Sequence, residues 1–272
     1  MKKVLILGAS GLVGQSLIEE LKDGFDIYGT YCSSSVNLPN NKKVQLEIHE
    51  IDKLKEVIRS IQPDIIISCL RGDFEQQLTF HHELSIEIQN TDRIVYYFST
   101  TNVFDGDFSR PHTEKDFPIS ESDYGKFKIN CENMLQEMLA ERAIIIRIPA
   151  IWGKNSPRWQ LIKDSIENNE VIDVYSNLIC NNLSDVTLAK QLRFIVENNL
   201  KGIFHLGTLD MMSQADFFEQ LVSKLTSKKN ILRRNLYDNK VNPYYFSLQQ
   251  NRNDIKDSLQ STNDDIVSYL LR

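Results

Sequence analysis

Val4-Leu5-Ile6-Leu7-Gly8-Ala9-Ser10-Gly11-Leu12-Val13-Gly14 lies close to the start of the chain. Its four apolar residues form an unbroken run, which suits a strand buried on both faces of a parallel sheet. After the glycines, Leu17, Ile18 and Leu21 fall on one side of a helical pattern. Strand, glycine turn and helix in this order predict a dinucleotide-binding βα unit. Gly8 permits the tight turn, Gly11 lets backbone approach a pyrophosphate, and Gly14 lets the helix close on the strand, with the helix N-terminus facing the anion. Gly8, Ser10, Gly11, Leu12, Val13 and Gly14 are therefore the candidate cofactor-binding residues of this turn.

The reading extends outward from there. The next strand, Asp26 to Tyr31, should end where an acidic residue would hold the adenosine ribose of NAD. It ends instead in Thr30, Tyr31 and Cys32, followed by Ser33, Ser34 and Ser35. Without a carboxylate a 2′-phosphate is not repelled, and the hydroxyls of Thr30 and Ser33 can donate to it, so NADP is favoured over NAD. Lys43 to Ile48 reads as a third strand and Ile51 to Ile61 as a helix with Leu54, Val57, Ile58 and Ile61 on one face. Ile65 to Cys69, Ile94 to Ser99 and Ala143 to Ile148 read as further strands. Such alternation predicts an α/β doubly wound parallel sheet of the Rossmann type.

Composition sets the limits. The 272 residues carry 31 basic and 37 acidic side chains, a net charge of −6, with no basic run of the kind that binds nucleic acid or an anionic membrane. Met1-Lys2-Lys3 before an apolar run imitates a signal peptide, but Gly8 cuts that run after four residues. No apolar run approaches the length of a membrane span. Cys32, Cys69, Cys131 and Cys180 show no metal-ligand spacing, and His81, His82 and His112 read as surface or loop residues, so no metal site is expected. Reduced thiols fit a cytoplasmic protein.

Tyr124 and Lys128 stand four residues apart at the start of a helical pattern that continues through Met134, Leu135, Met138 and Leu139. That spacing puts them on one face. A cation near a phenol favours the phenolate and brings tyrosine towards the range of acid–base catalysis. Thr100 follows the Ile94–Ser99 strand and should face the same crevice, at the carboxyl ends of the strands, as Gly11 and Tyr124.

Taken together, these features make the chain resemble an extended short-chain dehydrogenase/reductase, and within it the dTDP-4-dehydrorhamnose reductase (RmlD-like) family. The resemblance rests on Gly8, Gly11 and Gly14; the Pro63-Asp64-Ile65-Ile66-Ile67 entry; Ser99-Thr100 with Val103-Phe104-Asp105-Gly106; Tyr124-Gly125 with Lys128 and Glu132; and Arg147 leading to Trp152-Gly153. It implies catalysis by Thr100, Tyr124 and Lys128. Tyr124 would be the general acid, Lys128 would bind the nicotinamide ribose and lower the tyrosine pKa, and Thr100 would hydrogen-bond the substrate carbonyl. It further implies a keto nucleotide sugar as substrate and a homodimer formed through the Tyr124 helix.

Residues 1–153, with 174–208 returning, are expected to form the NAD(P)-binding Rossmann domain. Residues 154–173 and 209–272 would form a smaller substrate-binding subdomain, closed by a docking helix at Ile266 to Leu271. Lys154, Arg158, Lys163, Arg233 and Arg234 are candidate cations for a diphosphate. Met211, Met212, Phe217 and Phe218 fit a helix packed on a core. The chain departs from the family at Thr101 and Asn102, at Ser68-Cys69-Leu70, at Arg71-Gly72-Asp73 and at Ala150, where the rhamnose-pathway enzymes tend to carry a tryptophan. Two other readings stay open. One is a non-catalytic dinucleotide-binding regulatory protein, since the regulatory subunit of methionine adenosyltransferase resembles these reductases. The other is a nucleotide-sugar epimerase or dehydratase.

Overall fold

The structure is a computed structural model that describes residues 1–228 and 230–272. From the N-terminus run β1 (Lys3–Leu7), α1 (Leu12–Leu21), β2 (Asp26–Tyr31), β3 (Lys43–Gln45), α2 (Ile51–Ile61), β4 (Ile65–Ser68), α3 (Phe74–Ile88), β5 (Ile94–Thr100), α4 (Asp123–Leu139) and β6 (Ala143–Ile148). There follow β7 (Ala150–Trp152), α5 (Pro157–Asn168), β8 (Ile172–Tyr175), β9 (Leu178–Cys180), β10 (Asn182–Ser184), α6 (Asp185–Glu197) and β11 (Ile203–His205). The chain ends with β12 (Met212–Ser213), α7 (Gln214–Leu225), β13 (Leu232–Asn235), β14 (Tyr244–Phe246) and α8 (Asn263–Leu271).

Seven parallel strands form the main sheet in the order β3-β2-β1-β4-β5-β6-β11. β1 sits where the order reverses, and in open α/β sheets ligands bind at that switch point. The period of two along β1 explains its unbroken apolar run. Val4 and Ile6 point into a core shared with Leu17 of α1 and Leu188 and Leu192 of α6. Leu5 and Leu7 point into the opposite core with Leu54 of α2, Leu84 of α3 and Leu135 of α4. A strand covered on both faces favours apolar residues at every position.

The helix expected over Ile51 to Ile61 and the strand over Ala143 to Ile148 form with those bounds. β3 is shorter than the expected Lys43 to Ile48, because the Glu47 amide donates to the Glu50 carboxylate (2.8 Å) instead of to a neighbouring strand. β5 reaches one residue further than expected, Thr100 pairing with Ile148.

After Trp152 the chain builds a separate apolar cluster in which Trp152, Trp159, Ile162, Phe217, Leu221 and Ile266 meet between α5, α7 and α8. β8 pairs with β13, and β9 with β12 and β14, outside the main sheet, to which α6 and β11 return. The C-terminal helix α8 begins with a capping box of Thr262 and Asp265.

Candidate active site

The carboxyl ends of β1, β4 and β5 open into a cleft of about 1000 Å³ between the main sheet and the later cluster. Gly8, Ser10, Gly11, Leu12, Val13 and Gly14 form one wall. Gly8 has φ +78°, a left-handed conformation that favours glycine. A Cβ on Gly14 would lie 2.6 Å from the Ala9 Cα, so α1 can approach β1 only without one. From α3 to α8, each helix has its first turn capped by an Asp, Ser or Thr side chain; α1 starts at Gly11 with no side-chain cap and no acidic residue in its first turn. Its free N–H groups and positive dipole end face the cleft, and a dinucleotide's pyrophosphate is the anion that fits there.

Thr100, Tyr124 and Lys128 line the same cleft. The Thr100 hydroxyl donates to the Asn102 side-chain oxygen at 3.0 Å and accepts from the Asn102 amide at 3.3 Å. The Tyr124 ring packs on Phe74 with centroids 5.6 Å apart and is 38% exposed, so its edge remains open to the cleft. Lys128 is buried, donates to the Phe98 carbonyl at 2.9 Å and lies 4.5 Å from the centre of the Tyr97 ring. Burial pushes its ammonium down to about 8.

One expectation changes here. Lys128 is not what acts on the Tyr124 phenol, because its ammonium is turned to Phe98 and lies 5.9 Å from the centre of the Tyr124 ring. Burial raises the phenol above its ordinary value, and the Thr100 hydroxyl and the charge of Arg71 pull it the other way.

Tyr124 owes its place to the start of α4. The Asp105 carboxylate accepts from the Ser120 hydroxyl (2.7 Å), the Glu121 amide (2.8 Å) and both the hydroxyl and amide of Ser122. Burial works against that ionised group, but these donors prevail and hold it below the ordinary carboxylate range. Ser122 in turn caps α4 by accepting from the Gly125 amide at 3.1 Å. Gly125 is in close contact: a Cβ there would lie 2.0 Å from the Ser120 Oγ and 2.3 Å from the Asn102 carbonyl oxygen. Gly125→Ala is therefore expected to lower stability by about 1–3 kcal/mol through overpacking. It also displaces Tyr124, so a urea titration should show the loss together with weakened turnover.

The middle of α4 is fastened to β6 by a buried ion pair. Arg147 donates to Glu132 at 2.6 and 3.1 Å, with both side chains 2% exposed. A further Arg147 nitrogen lies 3.3 Å from Nε2 of His205, whose Nδ1 lies 3.1 Å from the His112 carbonyl. The two contacts are satisfied together by a neutral His205 with its proton on Nδ1.

His81 and His112 are not the surface residues expected. His81 is buried within α3 and joins Ser68 (2.8 Å) to the Gln77 carbonyl (2.6 Å), while His112 stacks on Phe104 with centroids 4.4 Å apart and donates to the Asp107 carbonyl. Partners for both His81 ring nitrogens and for Nε2 of His112 make burial tolerable, while Nδ1 of His112 has no hydrogen-bond partner among the described residues. Burial first, then nearby cations, pushes His81 down to about 4 and His205 to about 3. Both are lowered from an ordinary value near 6.5, so their stabilising effect is complete above that pH and is lost progressively as pH falls from there through the folded values. We expect each to cost about 2 kcal/mol by pH 5. Urea midpoints measured from pH 7 to 4.5 should fall accordingly, and fall less in His81→Asn.

Other expected residues separate in three dimensions. Ser33 is exposed and lies outside the cleft lining, since the chain leaves the sheet after Tyr31. Thr30 is buried at the cleft floor, where its hydroxyl accepts from the Gly8 amide at 3.1 Å and so holds the glycine turn. Arg233 is taken by Asp173, and Arg234 by Asp216 and Glu219. The Lys154 ammonium sits 5.4 Å from the centre of the Tyr269 ring, and neither it nor Lys163 lines the cleft. Arg158 does line it. So does Arg71, in the stretch that in the resembled family lines the crevice, and so do Glu47 and Phe246, which the motifs did not single out; no periodicity marks a loop residue as facing a cleft. Met212, Phe217 and Phe218 lie between the later cluster and the cleft. All four cysteines are free. Among the described residues no group of His, Cys, Asp and Glu could hold a metal, and no helix is long and apolar enough to cross a membrane.

Comparison with known proteins adds the lineage. The family described as the RmlD substrate binding domain matches residues 73–251. The chain is 25% identical over 243 residues to methionine adenosyltransferase 2 subunit beta of Danio rerio, covering 78% of this chain and 71% of the relative. It is 20% identical over 239 residues to a probable low-salt glycan biosynthesis reductase of Haloferax volcanii, covering 79% and 78%. Among solved structures, dTDP-4-dehydrorhamnose reductase from Bacillus anthracis in complex with NADP superposes with a TM-score of 0.83 at 21% identity, covering 100% of this chain and 99% of that one.

Proposed function

The chain belongs to the RmlD substrate binding domain family, and on that premise we propose that it is an NAD(P)H-dependent reductase of a keto nucleotide sugar. The observation that carries the reading is the meeting of Thr100, Tyr124 and Lys128 with the uncapped glycine turn of α1 in one cleft. A bound nicotinamide dinucleotide supplies the hydride. The residues of the chain do the rest. The α1 N-terminus and the glycines bind the pyrophosphate, and Lys128 holds a ribose hydroxyl. Thr100 releases Asn102 to donate to the substrate carbonyl, and Tyr124 gives its phenolic proton to the carbonyl oxygen as that oxygen becomes an alkoxide. Phenolate left on Tyr124 is stabilised by the charge of Arg71.

We assign NADP as the preferred cofactor because β2 ends without a carboxylate. Glu47, beyond β3, brings a carboxylate into the cleft lining, and a comparison of NADPH with NADH tests the preference directly. The smaller substrate-binding unit, in this reading, is built around the cluster of α5, α7 and α8. Pairing of two copies through α4, and a cytoplasmic location, complete the proposal.

The test is oxidation of NADPH and NADH by purified protein against a panel of 4-keto nucleotide sugars. Turnover of one of them supports the reading. Tight dinucleotide binding with no turnover favours instead a regulatory protein of the same fold, the reading that the methionine adenosyltransferase subunit and the engaged Thr100 hydroxyl support. A dinucleotide that stays bound through purification and is recycled would point to epimerase or dehydratase chemistry.

A further inference from the structure

Among the described residues, two arginines line the cleft with no counter-ion. Arg71 lies in the loop from β4 to α3, and Arg158 is the second residue of α5. Every other arginine before Arg272 donates to a carboxylate or a carbonyl. Arg71 and Arg158 do neither among the described residues, although a guanidinium offers five donors.

Both are nonetheless held in place. The Arg158 guanidinium sits over the Trp152 ring at 5.4 Å. The Arg71 loop is fixed on its far side, where Gly72 at φ +133° gives its carbonyl to the Gln77 side chain at 2.8 Å and Asp73 caps α3. Both side chains are solvent-exposed where they line the cleft; partial desolvation, and then the charge of Arg71, hold Arg158 below its ordinary value. The charge of Arg71 also reaches Tyr124. Two guanidiniums without a counter-ion among the described residues line the same cleft, and a divalent oxyanion bound bidentately would pair them.

We propose that Arg71 and Arg158 clamp the diphosphate of the substrate, a specificity element that rests on the nucleotide-sugar reading above. A diphosphate could come from substrate or cofactor. The substrate is the better match, because α1 already offers the cofactor an anion site, whereas Arg158 belongs to an element outside the main sheet and Arg71 acts on the reacting phenol.

The experiment is calorimetry on protein saturated with NADPH, titrated with thymidine diphosphate, uridine diphosphate, inorganic pyrophosphate and thymidine. Wild type, Arg71→Gln and Arg158→Gln are compared, with thermal melts to verify folding. We expect a nucleoside diphosphate to bind at least about tenfold more tightly than thymidine, and each variant to lose about tenfold for the diphosphate only. Thymidine and NADPH affinities should not move. If the variants lose NADPH affinity instead, the arginines serve the cofactor and the proposal fails. Equal binding of diphosphate and thymidine, or no diphosphate binding, overturns it as well. Arginine-dependent diphosphate binding without turnover of any keto sugar would leave the clamp standing and remove the reductase reading.

Discussion

Tyr124→Phe is expected to reduce kcat for carbonyl reduction by about 10²–10⁴, the range a positioned general acid contributes. The reason is local. The ring is held by its contacts with Phe74 and Phe127, which the substitution keeps, and among the described residues its hydroxyl makes no hydrogen bond that folding relies on. Only the transferable proton is lost. Dinucleotide affinity should therefore be unchanged, and the melting temperature should shift by little. Single-turnover oxidation of NADPH with the keto nucleotide sugar found active, alongside calorimetric titration of NADPH, separates the two effects. A variant that kept wild-type kcat would remove Tyr124 from the proton path and leave Lys128 or a water as the donor to examine.

The second large effect is structural. Arg147→Met should cost about 3–5 kcal/mol, because it leaves the Glu132 carboxylate buried and uncompensated. It also takes from His205 the donor that faces its Nε2 and removes a guanidinium that lies 5.1 Å from the centre of the Phe104 ring. Replacing both partners, in Arg147→Met with Glu132→Leu, should recover most of the loss, since a buried pair exchanged for apolar residues of similar volume is often neutral. Urea unfolding of the two single variants and the double variant measures the coupling. Additive losses would mean that α4 is held to β6 by apolar packing alone.

Much of this protein is legible along the chain. A strand buried on both faces is predominantly apolar, so the runs at Val4 to Leu7, Ile65 to Ile67 and Ala143 to Ile146 announce the sheet. The amphipathic run from Ile51 to Ile61 announces α2 with its bounds. The glycine spacing was readable because each of two contacts there, Gly14 on Ala9 and Gly8 on Cys69, excludes a side chain. Thr100, Tyr124 and Lys128 could be named as cleft residues because strand ends and an i, i+4 pair have predictable directions.

What the chain order could not decide is how charges pair across it. Arg233 and Arg234 look as available as Arg158 in sequence; they differ only because β8 and α7 bring Asp173, Asp216 and Glu219 beside them. His81 and His112 carry no mark of burial until Ser68, Gln77 and Asp107 are seen around their rings. The direction of Lys128, turned to the Phe98 carbonyl and not to the Tyr124 oxygen, is likewise set by β5, thirty residues away along the chain. Backbone periodicity is a local property, so the sequence by itself determined the layers, the glycine turn and the approximate place of the cleft. Desolvation and hydrogen bonding join residues distant in the chain, so only the tertiary structure decided which cations remain for a ligand and which protons can move.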